Sequence, residues 1–132
     1  EEELDNVIFL DSVPKDQVAR YWSLLDASII HLRRTELFRI VIPSKLFECM
    51  AMGIPVLHGV EGESAAIVST NEVGLTFQPE NPEALLQALV KLADDSLLRE
   101  TFRMNGPKAA RRYDRAFLAR NMLDSIKTVL EH

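Results

Sequence analysis

The sequence predicts an α/β domain: a parallel sheet covered by helices on both faces. Three observations predict it. Short β-branched runs alternate with segments of helical period along the whole chain, which is the pattern of βαβ units. The connections between them are short and carry no repeats, low-complexity tracts or Gly/Ser linkers. Finally, 132 residues with 47% apolar and 27% charged side chains fit one globular domain with a core of its own. Lys plus Arg number 15 and Asp plus Glu 20, a net charge of −5 that argues against nucleic acid as the main partner.

The elements follow in order. Val7-Ile8-Phe9-Leu10 reads as a buried strand. After Pro14, the spacing of Val18, Tyr21, Trp22 and Leu25 predicts a helix with one apolar stripe. Ser28 to Leu32 is the next strand, and the polar stretch through Arg39 is irregular. Ser44 reads as the N-cap of a short helix, Lys45 to Met52, with Leu46, Phe47 and Met50 inward and Gly53 as its stop. Ile54 to Leu57 is a third strand, Gly59 to Gly62 a loop, Ser64 to Ser69 a short helix, and Gly74 to Phe77 a fourth strand. Asn81 then caps a helix with Pro82 at its first position, and Leu85, Ala88, Leu89 and Leu92 line one face. A further helix from Ser96 is expected to break at Gly106-Pro107. The last starts near Asp114, with Leu118, Met122, Ile126 and Val129 on one stripe.

Several classes are excluded. A single cysteine, Cys49, allows no internal disulfide and no multi-Cys zinc cluster, and favours a reducing compartment. The most apolar stretch, Cys49 to Val60, is punctuated by Gly53, Pro55 and Gly59 and falls short of the ~20 residues a membrane helix needs. Glu1, Glu2 and Glu3 do not begin a signal peptide. Leu130-Glu131-His132 resembles the start of a histidine tag, and the chain enters its first apolar run almost at once. The expectation is therefore a partial domain over residues 1–129, excerpted from a longer polypeptide, with 130–132 a tag remnant.

In open parallel sheets, ligands bind beyond the carboxyl ends of the strands. That rule singles out the loops after Leu32, Leu57 and Phe77. The helix opening at Ser44 presents unpaired backbone N–H groups and a positive dipole end to an anion. Lys45 sits poorly at such an end unless a phosphate is bound, and Arg39 could add a second positive contact; a merely solvated Lys45 is the competing explanation. Glu48, one turn on, suits the vicinal diol of a ribose, although a surface Glu near a helix start is common. His58, Gly59, Gly62 and Glu63 are candidate loop contacts. His31 and His58 lack a carboxylate at a telling spacing, so no general base is assigned, and Cys49 beside Met50 reads as core. No GxGxxG, P-loop, HExxH or GxSxG motif is present, and no metal site is expected. Lys108, Arg111, Arg112, Arg115 and Arg120 form a local basic segment that fits anionic lipid, another domain, or plain solvent.

The run from Leu37 to Leu57, LFRIVIPSKLFECMAMGIPVL, resembles the donor-site signature of family 4 GT-B glycosyltransferases, most closely those of bacterial surface-polysaccharide synthesis. The Val7 to Leu10 strand, Ala27 to Ile30, Gly74 to Phe77 and the helix start at Asn81 to Leu85 agree in order, so the likeness spans nearly the whole chain. It implies a two-domain enzyme with facing Rossmann-like halves, of which this is the carboxy-terminal, truncated at its amino-terminal side. That half holds a nucleotide-diphosphate sugar, such as a UDP-sugar, as substrate, with no cofactor or bound metal. By the match, Glu48 corresponds to the ribose-binding acid, while Ser44 and Lys45 face the diphosphate. Where the family has a second Glu eight positions earlier, this chain has Ile40, so that role is not transferred, and the Arg/Lys pair that family members carry earlier in this half is not among these residues.

The resemblance further implies transfer of a hexose or amino sugar to a lipid-linked or saccharide acceptor. It places the enzyme in the cytoplasm, at or near the inner face of the membrane, with the acceptor-binding half as the absent partner. Two alternatives stay open: a sugar-nucleotide epimerase of the same architecture, and a non-enzymatic α/β interaction module.

Overall fold

The structure is a computed structural model that describes residues 4–130. Glu1–Glu3, Glu131 and His132, and the readings placed on them, lie outside the described residues. In chain order the elements are α1 (Lys15–Trp22), β1 (Ser28–His31), α2 (Glu36–Arg39), α3 (Ser44–Met52), β2 (Val56–Gly59), α4 (Glu63–Thr70), β3 (Gly74–Thr76), α5 (Pro82–Asp94), α6 (Ser96–Ala110), a 3-10 turn (Arg111–Tyr113) and α7 (Arg115–Leu130).

The described residues form one parallel sheet in the order β1-β2-β3, with Ser28 opposite Val56 and Val56 opposite Gly74. Both crossovers step the same way across the sheet, so a common handedness puts α3 and α4 on one face. Side chains alternate along β2 accordingly. Val56 joins Ile30, Leu46, Cys49, Met50, Ile67 and Val68 in a core beneath α3 and α4. Leu57 points the other way, into a core with Ala88 and Leu92 of α5 and Phe102 of α6. α6 reaches both cores, since Ala109 near its end belongs to the first.

Helix starts follow the sequence signals. Asn81 Oδ1 accepts from the Ala84 N–H at 2.9 Å, with Pro82 at the first helical position. Asn81→Ala should therefore cost about 1 kcal/mol in urea unfolding; an unchanged midpoint would contradict the cap. Thr35 caps the short α2 and Asp95 caps α6 in the same way. Gly53, at φ 65°, ends α3 in the left-handed conformation.

Three expectations are corrected. Val7–Leu10 is not a strand: a strand needs a paired edge and a covered face, and these residues have neither, with Ile8 81% and Phe9 93% exposed. Ser44 is not the N-cap of α3; Pro43, with ψ 125°, is the flanking residue and Ser44 the first helical one. α6 does not break at Gly106-Pro107 but continues to Ala110. Pro107 cannot bond the Arg103 carbonyl one turn back, yet buried Gly106 lets α6 lie against α3, and that packing holds the helix together. The last helix forms as expected, and its apolar stripe (Leu118, Met122, Ile126, Val129) is exposed along its length, Met122 by 66%.

Candidate functional site

At the carboxyl edge of the sheet, side chains tie the three strand-end loops together. The Glu80 N–H donates to His31 Nε2 at 3.0 Å, and the Arg34 N–H to Glu80 Oε2 at 3.1 Å. The His31 ring stacks over Phe77 with centroids 6.2 Å apart. Arg34 Nε meets Glu61 at 3.1 Å, and Arg39 lies between Glu61 at 3.9 Å and Glu36 at 3.3 Å. These last residues, with Thr35, line a concavity of about 540 Å³.

α3 starts beside this edge because it follows β1 in a parallel sheet. Its first turn has backbone N–H groups without intrahelical acceptors, and no side chain caps it. Ser44, Lys45 and Glu48 are all exposed. Ser44 and Glu48, one turn apart, share a stripe and line one concavity of about 760 Å³. Its other wall is the end of α6, the 3-10 turn and the start of α7, including Arg111, Tyr113, Arg115 and Phe117. Tyr113 packs on Phe47 at 5.0 Å, which fixes this wall against α3.

The structure thus brings Ser44 and Glu48 together, whereas Lys45 lies off that concavity and Arg39 in the other one. His58 and Gly59, expected in a loop, belong to β2 and are buried. A Cβ on Gly59 would fall 2.4 Å from the Phe77 ring, so glycine there serves packing. Gly62 has φ 86° and lies so close to the Arg39 backbone that a Cβ would meet its carbonyl oxygen at 2.0 Å. Glu63 opens α4, exposed and well placed for the helix dipole.

His58 Nε2 sits 2.9 Å from Ser64 Oγ, while Nδ1 is buried without a partner. Burial pushes its pKa down to about 4, so the ring is neutral near pH 7. Burial likewise pushes the Cys49 thiol up to about 11, as befits a core residue. Among the described residues no three His, Cys, Asp or Glu side chains group to hold a metal, and no helix is long and apolar enough to cross a membrane.

Sequence reasoning noticed the basic segment but not its placement. Bringing Arg111 and Arg115 opposite Glu48 requires α6 to run unbroken past Gly106-Pro107, against the local signal.

The family described as glycosyl transferases group 1 matches residues 1–95. The chain belongs to this family. Phosphatidyl-myo-inositol mannosyltransferase of Mycobacterium leprae (strain TN) is 33% identical over 84 residues, covering 64% of this chain and 22% of that protein. Among solved structures, sucrose-phosphate synthase from Thermosynechococcus elongatus superimposes with a TM-score of 0.72 at 21% identity. That likeness, covering 96% of this chain and 31% of the synthase, is one of fold. The chain therefore spans less than a third of either relative. The expected α/β class, with its helix-flanked parallel sheet, matches this neighbour in fold. α6, the 3-10 turn and α7 lie beyond the residues that the family matches.

Proposed function

We propose that this group 1 domain binds the nucleotide-diphosphate sugar of a retaining glycosyltransferase, with a UDP-sugar as donor. One observation carries the proposal: Ser44 and Glu48 lie exposed on one stripe of an uncapped helix and line a single concavity. The free N–H groups at the start of α3 suit the diphosphate, and Lys45 in that turn adds charge. Glu48, one turn deeper, accepts hydrogen bonds from both ribose hydroxyls. Arg39 joins the diphosphate contacts once it leaves Glu61, and the loop of Gly62 and Glu63 borders the sugar. His58 and Gly59 support that loop from β2.

Chemistry in such a site is positioning plus electrostatics. Held donor phosphates are aligned for transfer, and amide dipoles with cations stabilise the charge that develops on the departing diphosphate. The whole protein then moves a hexose or amino sugar to a lipid-linked or saccharide acceptor bound by a second half, in bacterial surface-polysaccharide synthesis at the cytoplasmic side of the membrane. The Mycobacterium leprae relative, named for mannose transfer to phosphatidyl-myo-inositol, supports a hexose and a lipid acceptor. The present chain alone is expected to turn over no donor.

UDP titration, carried to millimolar levels, checks this. Glu48→Ala should weaken UDP binding about tenfold or more, as expected for charge-assisted hydrogen bonds to the ribose, while leaving the melting temperature nearly unchanged. Equal UDP binding by both forms, or a large loss of stability, would assign Glu48 a structural role instead.

A further inference from the structure

We propose that His31 is a positioning residue: by holding Glu80 it clips the strand-end loops together and sets where Arg34 and Glu61 stand against the donor's sugar; this rests on the nucleotide-sugar function proposed above. The ring owes its place to the middle strand, which ends in Gly59. A Cβ there would fall 2.9 Å from His31 Cδ2 and closer still to the Phe77 ring, so glycine lets the two rings close over that end. They do so nearly parallel, 10° apart, which fixes the imidazole plane and aims Nε2 at the Glu80 N–H. Because that N–H donates, Nε2 carries a lone pair and the neutral ring keeps its proton on Nδ1.

Glu80 is held at both ends. Its φ of 59° is a left-handed conformation that disfavours an L-residue with a side chain, so contacts must keep it there. His31 accepts from its backbone, and its own carboxylate accepts from the Arg34 N–H. The Arg34 side chain in turn meets Glu61, one residue before Gly62. His31, Glu80, Arg34 and Glu61 thus link the loops after β1, β3 and β2 in one chain of contacts. Arg34 and Glu61 both face the concavity whose remaining lining, Thr35, Glu36 and Arg39, is also polar. Such hydrogen-bonding groups suit the hydroxyls of a sugar, and their hydrogen bonds weaken steeply once misaligned. The nucleotide, on α3, lies outside the clip.

Titrating the 132-residue chain with UDP, UDP-glucose, UDP-galactose and UDP-N-acetylglucosamine, beside backbone amide spectra, tests this. His31→Phe keeps the stack on Phe77 but has no acceptor, whereas the side-chain oxygen of His31→Gln still accepts. In the parent at least one of the sugar nucleotides should bind more tightly than UDP. His31→Phe should cut that preference about fivefold, as loss of well-aligned hydrogen bonds implies. It should leave UDP binding unchanged and shift the amides of Arg34, Glu61 and Glu80 together, and His31→Gln should restore both properties. The preference surviving in His31→Phe, or His31→Gln behaving like His31→Phe, would overturn the assignment. So would a lower melting temperature with the preference intact, which makes the clip structural alone. A parent that binds UDP but no sugar nucleotide more tightly contradicts the sugar contact. A parent that binds no UDP sinks the nucleotide function, and the amide shifts of the two variants then decide the clip by themselves.

Discussion

Gly106→Val should destabilise the domain by about 3 kcal/mol or more, the scale of overpacking against an unyielding neighbour. A Cβ at Gly106 would stand 2.7 Å from the Met50 carbonyl oxygen and 3.4 Å from the Gly53 Cα. Both are backbone atoms of the α3 end, so no rotamer change relieves the clash. α6 must lift away from α3, and with it go the 3-10 turn and the start of α7. The concavity between Glu48 and Arg111 would then widen or vanish. Urea unfolding of the variant beside the parent measures the first effect. A loss below about 1 kcal/mol would mean that α6 does not lie this close to α3, since overpacked cores lose more than that.

Acid should destabilise the domain through His58 on a comparable scale. The folded ring has a pKa of about 4 against 6.5 when unperturbed, so between those values the unfolded chain binds the proton more readily. Stability therefore rises with pH across this window and is lost as pH falls from 6.5 toward 4. A 2.5-unit gap corresponds to roughly 3 kcal/mol once pH 4 is reached. Carboxylates add their own acid dependence, so the informative comparison is with His58→Gln, which can still bond Ser64 Oγ but cannot titrate. Unfolding free energies at pH 7 and pH 5 should fall about 2 kcal/mol further in the parent than in the variant. Parallel pH profiles would show that the buried ring takes up a proton without penalty.

Both predictions concern residues whose environment is tertiary, and that is where the sequence was least legible. Helix caps are local, so Asn81-Pro82 and Gly53 could be read from neighbouring residues alone, as could the alternation of strands and helices. The fate of Val7–Leu10 depends on whether an edge is available to pair with it, which no local pattern encodes. Gly106-Pro107 carries a strong breaking signal, and only the close contact with α3 overrides it. The N-cap of α3 was misplaced by one residue because Ser44 has the preferred chemistry, while Pro43 has the required backbone.

The candidate site divides the same way. Ser44 and Glu48 are four residues apart on a helix, so their shared face followed from helical spacing. His58 and Gly59 were displaced from loop to strand by two residues of register, which turned an exposed candidate into a buried ring on Ser64. The placement of Arg111 and Arg115 depends on a contact spanning more than sixty residues of sequence.

Solving this chain with UDP bound tests the central claim most directly. The account predicts diphosphate oxygens at the start of α3, within hydrogen-bond reach of its first amides, and both ribose hydroxyls on the Glu48 carboxylate. Finding UDP seated elsewhere, or with Glu48 remote from its sugar ring, would contradict it.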